Sequence, residues 1–178
     1  MIPAGNSMST PHRGRTIIGI DPGLASVGYG LVTVSQGGQL RHLAHGCITT
    51  PSSSPSEERL KAIFDEINSI ISLYRPDAGG IEDLFFFRNV SSALPVAEAR
   101  GVIKLAFRLA AVPLAEFSPN AIKKAVTGTA RADKFQVQEM VRILLGLPKI
   151  PSPDHAADAL AAAICRTNSE GPAGISSI

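Results

Sequence analysis

Apolar positions follow two different periods along the chain, and each period predicts a type of secondary structure. Residues 16–21, 26–35 and 39–50 are rich in β-branched and aromatic side chains and are separated by turns that contain Pro-Gly and Gly-Gly. This pattern is typical of three antiparallel strands joined in sequence. Residues 56–74 instead repeat apolar side chains at intervals of three and four, which predicts a helix with one buried stripe.

The rest of the chain alternates short strands with helices. Residues 78–82 and 112–117 predict two more strands, and the second suits a sheet edge because Pro113 cannot donate a ladder hydrogen bond. Helices are predicted at residues 91–111, 118–128, 133–145 and 154–166. The first of these is apolar on several faces, so we expect it to be covered on more than one side.

Capping signals mark the starts of three helices. Ser56 is placed to cap the first helix, and Ser118 is followed by proline at the first helical position. Asp133 and Gln136 match a capping box, and Phe135 is assigned to the apolar side of the helix that follows. Local sequence therefore predicts where these helices begin.

The order of the elements predicts an α/β fold in which helices flank a five-stranded mixed sheet, with three antiparallel strands followed by parallel strands. At 178 residues the chain has room for one domain, which we expect to span residues 16–167. Residues 1–15 lack the apolar centre of a secretory signal and predict a disordered leader. Residues 168–178 are polar and predict a flexible tail.

Composition indicates a soluble, cytoplasmic protein. No apolar run approaches the roughly 18 residues needed to cross a bilayer. Cys47 and Cys165 belong to no paired motif, so we expect reduced thiols rather than a disulfide or a metal site. A net charge of +2 permits nucleic-acid binding without requiring it, so the distribution of charge is more informative than its sum.

An isolated carboxylate follows the first predicted strand. Asp21 comes directly after the apolar run Ile17-Ile18-Gly19-Ile20 and before Pro22-Gly23, so a strand that is buried on both faces would end in an acid. Burial of a carboxylate is costly unless a partner binds it. The alternative is an aspartate that only caps the turn, since aspartate is common in turns.

Further acids lie at the ends of other predicted elements. Glu82 ends the fourth strand, and Asp154, His155 and Asp158 lie near the start of the last helix. Clustered carboxylates repel one another unless a cation holds them, and oxygen ligands suit Mg²⁺ or Mn²⁺. Two such ions can support phosphodiester hydrolysis. The alternatives are a helix-dipole charge for Asp154 and a solvated surface histidine for His155.

Four motifs together resemble the RuvC family of Holliday-junction resolvases. They are GIDPGLASVGYG at 19–30, IEDLFF at 81–86, EARG at 98–101 and HAADALA at 155–161. The resemblance spans residues 16–167. It implies an RNase H-like fold, a homodimer and divalent-metal-dependent paired nicking of four-way DNA junctions in recombination and repair. It also implies a branch-migration complex, RuvA and RuvB, as partner.

The resemblance assigns roles to the acids. Asp21, Glu82 and Asp158 match catalytic and metal-binding acids of the family, and His155 matches a position that is aspartate in many relatives and histidine in others. Imidazole is a better ligand for Mn²⁺ than for Mg²⁺, so a manganese preference is a hypothesis. Asp154 is left open as an alternative fourth ligand, in a site that would hold two Mg²⁺ or Mn²⁺ ions.

Basic residues cluster between the fifth strand and the last helix. The cluster consists of Lys123, Lys124, Arg131, Lys134 and Arg142. It predicts a phosphate-binding surface, with a solvated basic face as the alternative. By resemblance, Lys123 and Lys134 match DNA-contacting lysines of the family.

Three successive aromatic residues follow Glu82. Phe85, Phe86 and Phe87 cannot all be buried on one side of an extended segment. By resemblance Phe85 matches the base-stacking aromatic of the family, while the other two are assigned to the core or the dimer. Arg88 is a further candidate for a phosphate contact.

The proposed reaction is in-line attack by a metal-activated water, with Asp21 between the two ions, to leave a 5′-phosphate and a 3′-hydroxyl. In a twofold dimer, two such sites would cut strands of like polarity symmetrically. The small-residue helix that follows Ser91 is the candidate interface.

Two other functional classes match part of this pattern. Sugar kinases and actin-like ATPases also begin with a glycine-flanked aspartate on a first strand, but they need two such domains, and this chain is too short. A catalytically silent junction-binding protein of the same fold would keep the acids as structural remnants. The presence of all the main acids favours the nuclease.

Overall fold

A mixed sheet forms the centre of the computed structural model, which describes residues 14–83 and 90–169. Its strands are β1 (Arg15–Asp21), β2 (Ser26–Val34), β3 (Leu40–Thr49), β4 (Ala78–Glu82) and β5 (Leu114–Phe117). The spatial order is β3-β2-β1-β4-β5. β1 pairs antiparallel with β2 and parallel with β4, and β5 pairs parallel with β4 at the sheet edge. The predicted topology is confirmed.

Helices cover both faces of this sheet. They are α1 (Ser56–Tyr74), α2 (Val90–Leu109), α3 (Pro119–Thr127), α4 (Lys134–Leu144) and α5 (Asp154–Ser169). One apolar core lies between the sheet and the pair α1 and α2, and a second lies between the sheet and α3, α4 and α5. The predicted stripe of α1 is buried, with Ile63 and Ile67 at its centre.

The first strand and the last helix extend slightly beyond the predicted domain boundaries, residues 16 and 167. β1 begins at Arg15, which the sequence assigned to the leader, and α5 continues to Ser169, which it assigned to the tail. Residues 1–13 of the predicted leader and residues 170–178 of the predicted tail lie outside the described residues.

Two of the three predicted caps are confirmed. The side chain of Ser118 accepts a hydrogen bond from the backbone N–H of Ala121, and Asp133 and Gln136 form both bonds of a capping box. The prediction for Ser56 is wrong. The N-cap position of α1 is occupied by Pro55, which makes no side-chain cap, because Ser56 is already the first helical residue.

Phe135 is a second correction. The sequence assigned it to the apolar side of α4, but 65% of its surface is exposed, whereas Val137 and Val141 are buried. Successive residues of a helix are about 100° apart, so Phe135 lies about 200° from Val137 around the axis. The two side chains therefore cannot share one face.

Helix α5 packs unusually close to the sheet because glycines and alanines face each other. A side chain at Gly19 would overlap the backbone at Ala159, and a side chain at Gly28 would overlap the backbone at His155. The helix therefore lies directly over β1 and β2. This contact carries His155 and Asp158 to the ends of the central strands.

Both cysteines are free, as predicted. Cys165 is buried in α5, and burial raises the pKa of its thiol to about 11. Within the ranges that the structure describes, no helix is both long enough and apolar enough to span a membrane.

Candidate active site

Three carboxylates converge at one end of the sheet. β1 and β4 run parallel with Ile20 opposite Ile81, so Asp21 and Glu82 are the next residues on two adjacent strands. Asp158 lies one turn into α5, which crosses over these strands. The backbone thus brings together three acids that are far apart in the chain, as their positions at element ends predicted.

Burial and mutual repulsion disfavour the ionised forms of these acids. Burial is the main factor that raises the pKa of Asp21 and of Asp158 above the ordinary aspartate value. Burial, followed by the charges of Asp21 and Asp158, raises the pKa of Glu82 to about 7. A cation among them would reverse this effect, because an opposite charge favours the ionised form.

His155 contacts the most central of the acids. Its Nδ1 donates a hydrogen bond to Oδ2 of Asp21 over 2.6 Å. The Asp21 side chain is 14% exposed, whereas the His155 side chain is 52% exposed and reaches the opening of the site. With the proton on Nδ1, the lone pair of Nε2 remains available as a ligand.

Asp154 lies on the outer side of the same helix turn. Its carboxylate accepts hydrogen bonds from Lys134 Nζ at 2.9 Å and from Gln138 Nε2 at 3.3 Å, and its side chain is 67% exposed. The hydrogen bond from Lys134 holds the pKa of Asp154 below its ordinary value. Of the two candidates for the fourth position, His155 is therefore the one in contact with Asp21.

Two lysines line the cleft beside the acids. Lys134 Nζ bridges Asp154 and Asp158, and it lies 3.5 Å from Oδ2 of Asp158. Lys123 lines the same cleft of about 200 Å³, together with Glu82 and Asp158. The charge of Lys123 partly offsets the rise in the pKa of Glu82. The two lysines to which the sequence resemblance assigns DNA contacts thus line the same cleft as the acids.

The other predicted binding residues are placed differently. Lys124 and Arg131 are exposed, and neither is among the residues that line the cleft. Arg142 is engaged in an ion pair with Glu139. Phe85 and Arg88, together with Phe86 and Phe87, lie outside the described residues.

Sequence reasoning missed the role of Gln138. This side chain is only 9% exposed, and it donates the hydrogen bond that holds Asp154. The available signal was a polar residue within the buried side of α4, between Val137 and Val141. A buried amide needs a partner, and here the partner is an acid of the candidate site.

The chemistry of the donor set suits a divalent metal. Carboxylate oxygens and one imidazole match the ligands of Mg²⁺ and Mn²⁺. Across the residues that the structure describes, no three His, Cys, Asp or Glu side chains stand so that they could hold an ion. Instead, Lys134 provides positive charge beside Asp158, and His155 occupies one oxygen of Asp21.

Comparison with known proteins identifies the family. The family model described as crossover junction endodeoxyribonuclease RuvC matches residues 17–166. A Treponema pallidum protein of that name is 54% identical over 148 residues, which cover 83% of this chain and 75% of the relative. A Treponema denticola protein of the same name is 51% identical over 152 residues, or 85% of each chain.

A solved structure agrees with the sequence comparison. The structure described as Thermus thermophilus RuvC in complex with Holliday junction substrate matches with a TM-score of 0.84 and 34% identity, over 89% of this chain and 97% of that one. The match confirms the predicted RNase H-like fold, and the curated relatives do not favour a catalytically silent protein. The chain therefore belongs to the RuvC family of crossover junction endodeoxyribonucleases, the enzymes that resolve Holliday junctions.

Proposed function

We propose that this chain resolves four-way DNA junctions with an active site formed by Asp21, Glu82, His155 and Asp158. The observation that carries the proposal is the convergence of three half-buried acids at the ends of β1 and β4 and in the first turns of α5. Their raised pKa values indicate a site that is incomplete without a cation. Family membership supports dependence on divalent metal.

Each residue of the proposed active site has a distinct role. Two Mg²⁺ or Mn²⁺ ions per site would activate the attacking water and stabilise the leaving oxygen, giving a 5′-phosphate and a 3′-hydroxyl. Asp21 is the proposed shared ligand, since it interacts with both Glu82 and His155. Asp158 provides the third carboxylate of the site, from α5. Partial burial of the three carboxylates limits the access of bulk water to them.

The two cleft lysines would hold the DNA backbone. Lys134 and Lys123 lie beside the acids and would contact phosphates on either side of the scissile bond. Displacement of Lys134 from Asp154 and Asp158 by phosphate would free the carboxylate of Asp158. Lys124 and Arg131 would extend the phosphate-binding surface, and Phe85 and Arg88 remain predicted DNA contacts.

The direct test is cleavage of a synthetic mobile four-way junction. We expect paired nicks at symmetric positions on opposing strands with Mg²⁺ or Mn²⁺, and no cleavage in EDTA. A linear duplex with the same arm sequence is the control and should remain intact under the same conditions. Junction binding without cleavage in any divalent ion would contradict the proposal.

The roles of His155 and Asp154 can be separated by substitution. We expect His155→Ala to lower the cleavage rate by about 10- to 100-fold, because it removes the side chain that contacts Asp21. Asp154→Asn should change the rate by less than about threefold, since this side chain is 67% exposed and faces Lys134. Rates are measured on the same junction with saturating Mn²⁺.

The metal preference provides a second readout on the same position. His155→Asp should lower the ratio of the rate in Mn²⁺ to the rate in Mg²⁺, since a carboxylate replaces an imidazole. An unchanged ratio would contradict His155 as a metal ligand. A larger loss in Asp154→Asn than in His155→Ala would assign the fourth position to Asp154.

The proposed homodimer uses the outer face of α2. Leu94, Leu105 and Leu109 are 60%, 51% and 67% exposed, and Gly101 leaves open space between them. An apolar face of this kind is typical of an interface between subunits. A monomer mass in sedimentation would contradict this part of the proposal. Cooperation with a branch-migration complex, RuvA and RuvB, follows from the family resemblance alone.

A further inference from the structure

A network of ion pairs lies at the junction of α2, β4 and β5. Arg100 of α2 points its Nη2 at Oδ1 of Asp83, 2.8 Å away, and also at the carboxylate of Glu116 on β5. Glu116 accepts a second hydrogen bond from Lys104 Nζ at 2.5 Å. The Arg100 side chain is only 13% exposed. One guanidinium thus joins two carboxylates from two different parts of the sheet.

This network begins one residue after a proposed ligand. Asp83 directly follows Glu82, the last residue of β4. Side chains alternate between the faces of extended backbone, so Glu82 lies on the α5 side with Asp21 and Asp158 while Asp83 lies on the α2 side. The backbone N–H of Asp83 also donates to the carbonyl of Phe117 over 2.8 Å. Both backbone and side chain therefore hold the end of β4.

Arg100 supplies the positive charge that the carboxylates of Asp83 and Glu116 share. Without its guanidinium, the carboxylates of Asp83 and Glu116 would lie close together, and among residues 14–83 and 90–169 the ion pair left to them would be that of Lys104 with Glu116. Like charges at close range repel, and the side chains of Asp83 and Glu116 are only 34% and 36% exposed. Asp83 would then turn away from β5, and the end of β4 would lose its side-chain anchor.

We propose that Arg100 is a positioning residue for the active site. By holding Asp83 from the opposite face of the sheet, it sets the direction in which the Glu82 carboxylate points toward Asp21 and Asp158. The inference rests on the proposed function, because it takes Glu82 as a metal ligand. Arg100 itself touches neither the metal nor the DNA.

The test measures metal binding apart from catalysis. Mn²⁺ binding to the DNA-free protein, followed by electron paramagnetic resonance, should weaken about 10-fold in Arg100→Gln, as is usual when a residue that orients a ligand is lost. Cleavage of the junction should fall by a similar factor at low Mn²⁺ and recover at high Mn²⁺. Junction affinity without divalent ions should not change.

Asp83→Asn separates positioning from folding. It keeps the contacts of Arg100 and Lys104 with Glu116, so the thermal unfolding temperature should stay near that of the wild type. It should nevertheless weaken Mn²⁺ binding as Arg100→Gln does. The double variant Arg100→Gln/Asp83→Asn should bind Mn²⁺ no more weakly than either single variant. Arg100→Lys keeps the positive charge but lacks the planar guanidinium group, so it should bind Mn²⁺ more tightly than Arg100→Gln and less tightly than the wild type.

A matched control removes a cation from an unrelated ion pair. Lys61 pairs with Asp65 on the exposed side of α1, so Lys61→Gln should bind Mn²⁺ and cleave as the wild type does. Wild-type Mn²⁺ affinity in both Arg100→Gln and Asp83→Asn would overturn the inference while leaving the proposed function in place. Weaker binding only in Arg100→Gln, together with a lower unfolding temperature, would also overturn it. Failure of the wild type to bind Mn²⁺ or cut would overturn the proposed function itself.

Discussion

Asp21→Asn should lower junction cleavage by about 1,000-fold while junction binding is retained. Asparagine has nearly the same volume and keeps a hydrogen-bonding oxygen toward His155, so the fold and the DNA surface are preserved. The lost negative charge is the one that interacts with Glu82, His155 and Asp158 at the centre of the site. Removal of one group that stabilises developing charge typically costs about 100- to 1,000-fold, and a shared ligand belongs at the upper end.

The measurement compares single-turnover nicking rates with junction affinity in a gel-shift assay without divalent ions. Asp65→Asn is the control, because Asp65 is an exposed aspartate of α1 that forms an ion pair with Lys61. The control should cleave at the wild-type rate. Cleavage by Asp21→Asn within tenfold of the wild-type rate would remove Asp21 from the centre of the mechanism.

Glu82→Gln should make the metal-free protein more stable above pH 7 while it inactivates the enzyme. Burial and the two neighbouring aspartates raise the pKa of Glu82 from 4.5 to about 7, so the folded state binds a proton that the unfolded state has released. The unfolding free energy therefore falls as pH rises from about 4.5 to 7. Glutamine carries no charge and avoids this loss.

The expected gain is about 2 kcal/mol in the free energy of unfolding at pH 8. The full difference between the two pKa values corresponds to roughly 3 kcal/mol, and partial solvent exposure of Glu82 reduces it. Asp21 and Asp158 contribute in the same direction, so only the difference between variant and wild type isolates Glu82.

Denaturant unfolding in EDTA at pH 5 and pH 8 measures this effect. The two proteins should differ more at pH 8 than at pH 5, and Mn²⁺ should stabilise the wild type more than Glu82→Gln at pH 8. If Glu82→Gln is equally destabilised at both pH values, Glu82 stabilises the fold, and repulsion by Asp21 and Asp158 does not destabilise its charged form.

Much of the fold could be predicted because its signals are local. The isoleucines of α1 recur at helical spacing, and Ser118 and Asp133 bond to backbone groups only three residues away. Such patterns depend on backbone geometry alone. The prediction failed at Ser56 because α1 begins one residue earlier than expected, with Pro55 at the N-cap position. It failed at Phe135 because this side chain lies about 200° around the axis of α4 from the buried Val137 and is exposed. The order of residues does not resolve these differences.

The sequence by itself determined the mixed sheet and the family, and it predicted the acids of the candidate site, since Asp21 and Glu82 end buried strands and Asp158 precedes an apolar helical run. Only the tertiary structure decided that His155 faces Asp21 while Lys134 and Gln138 hold Asp154 outside. It also brought Arg100 to Asp83 beneath the site. These contacts depend on how closely α5 and α2 pack on the sheet, and on the direction of individual side chains. Packing of this kind joins residues that are distant in the chain, so no local pattern specifies it.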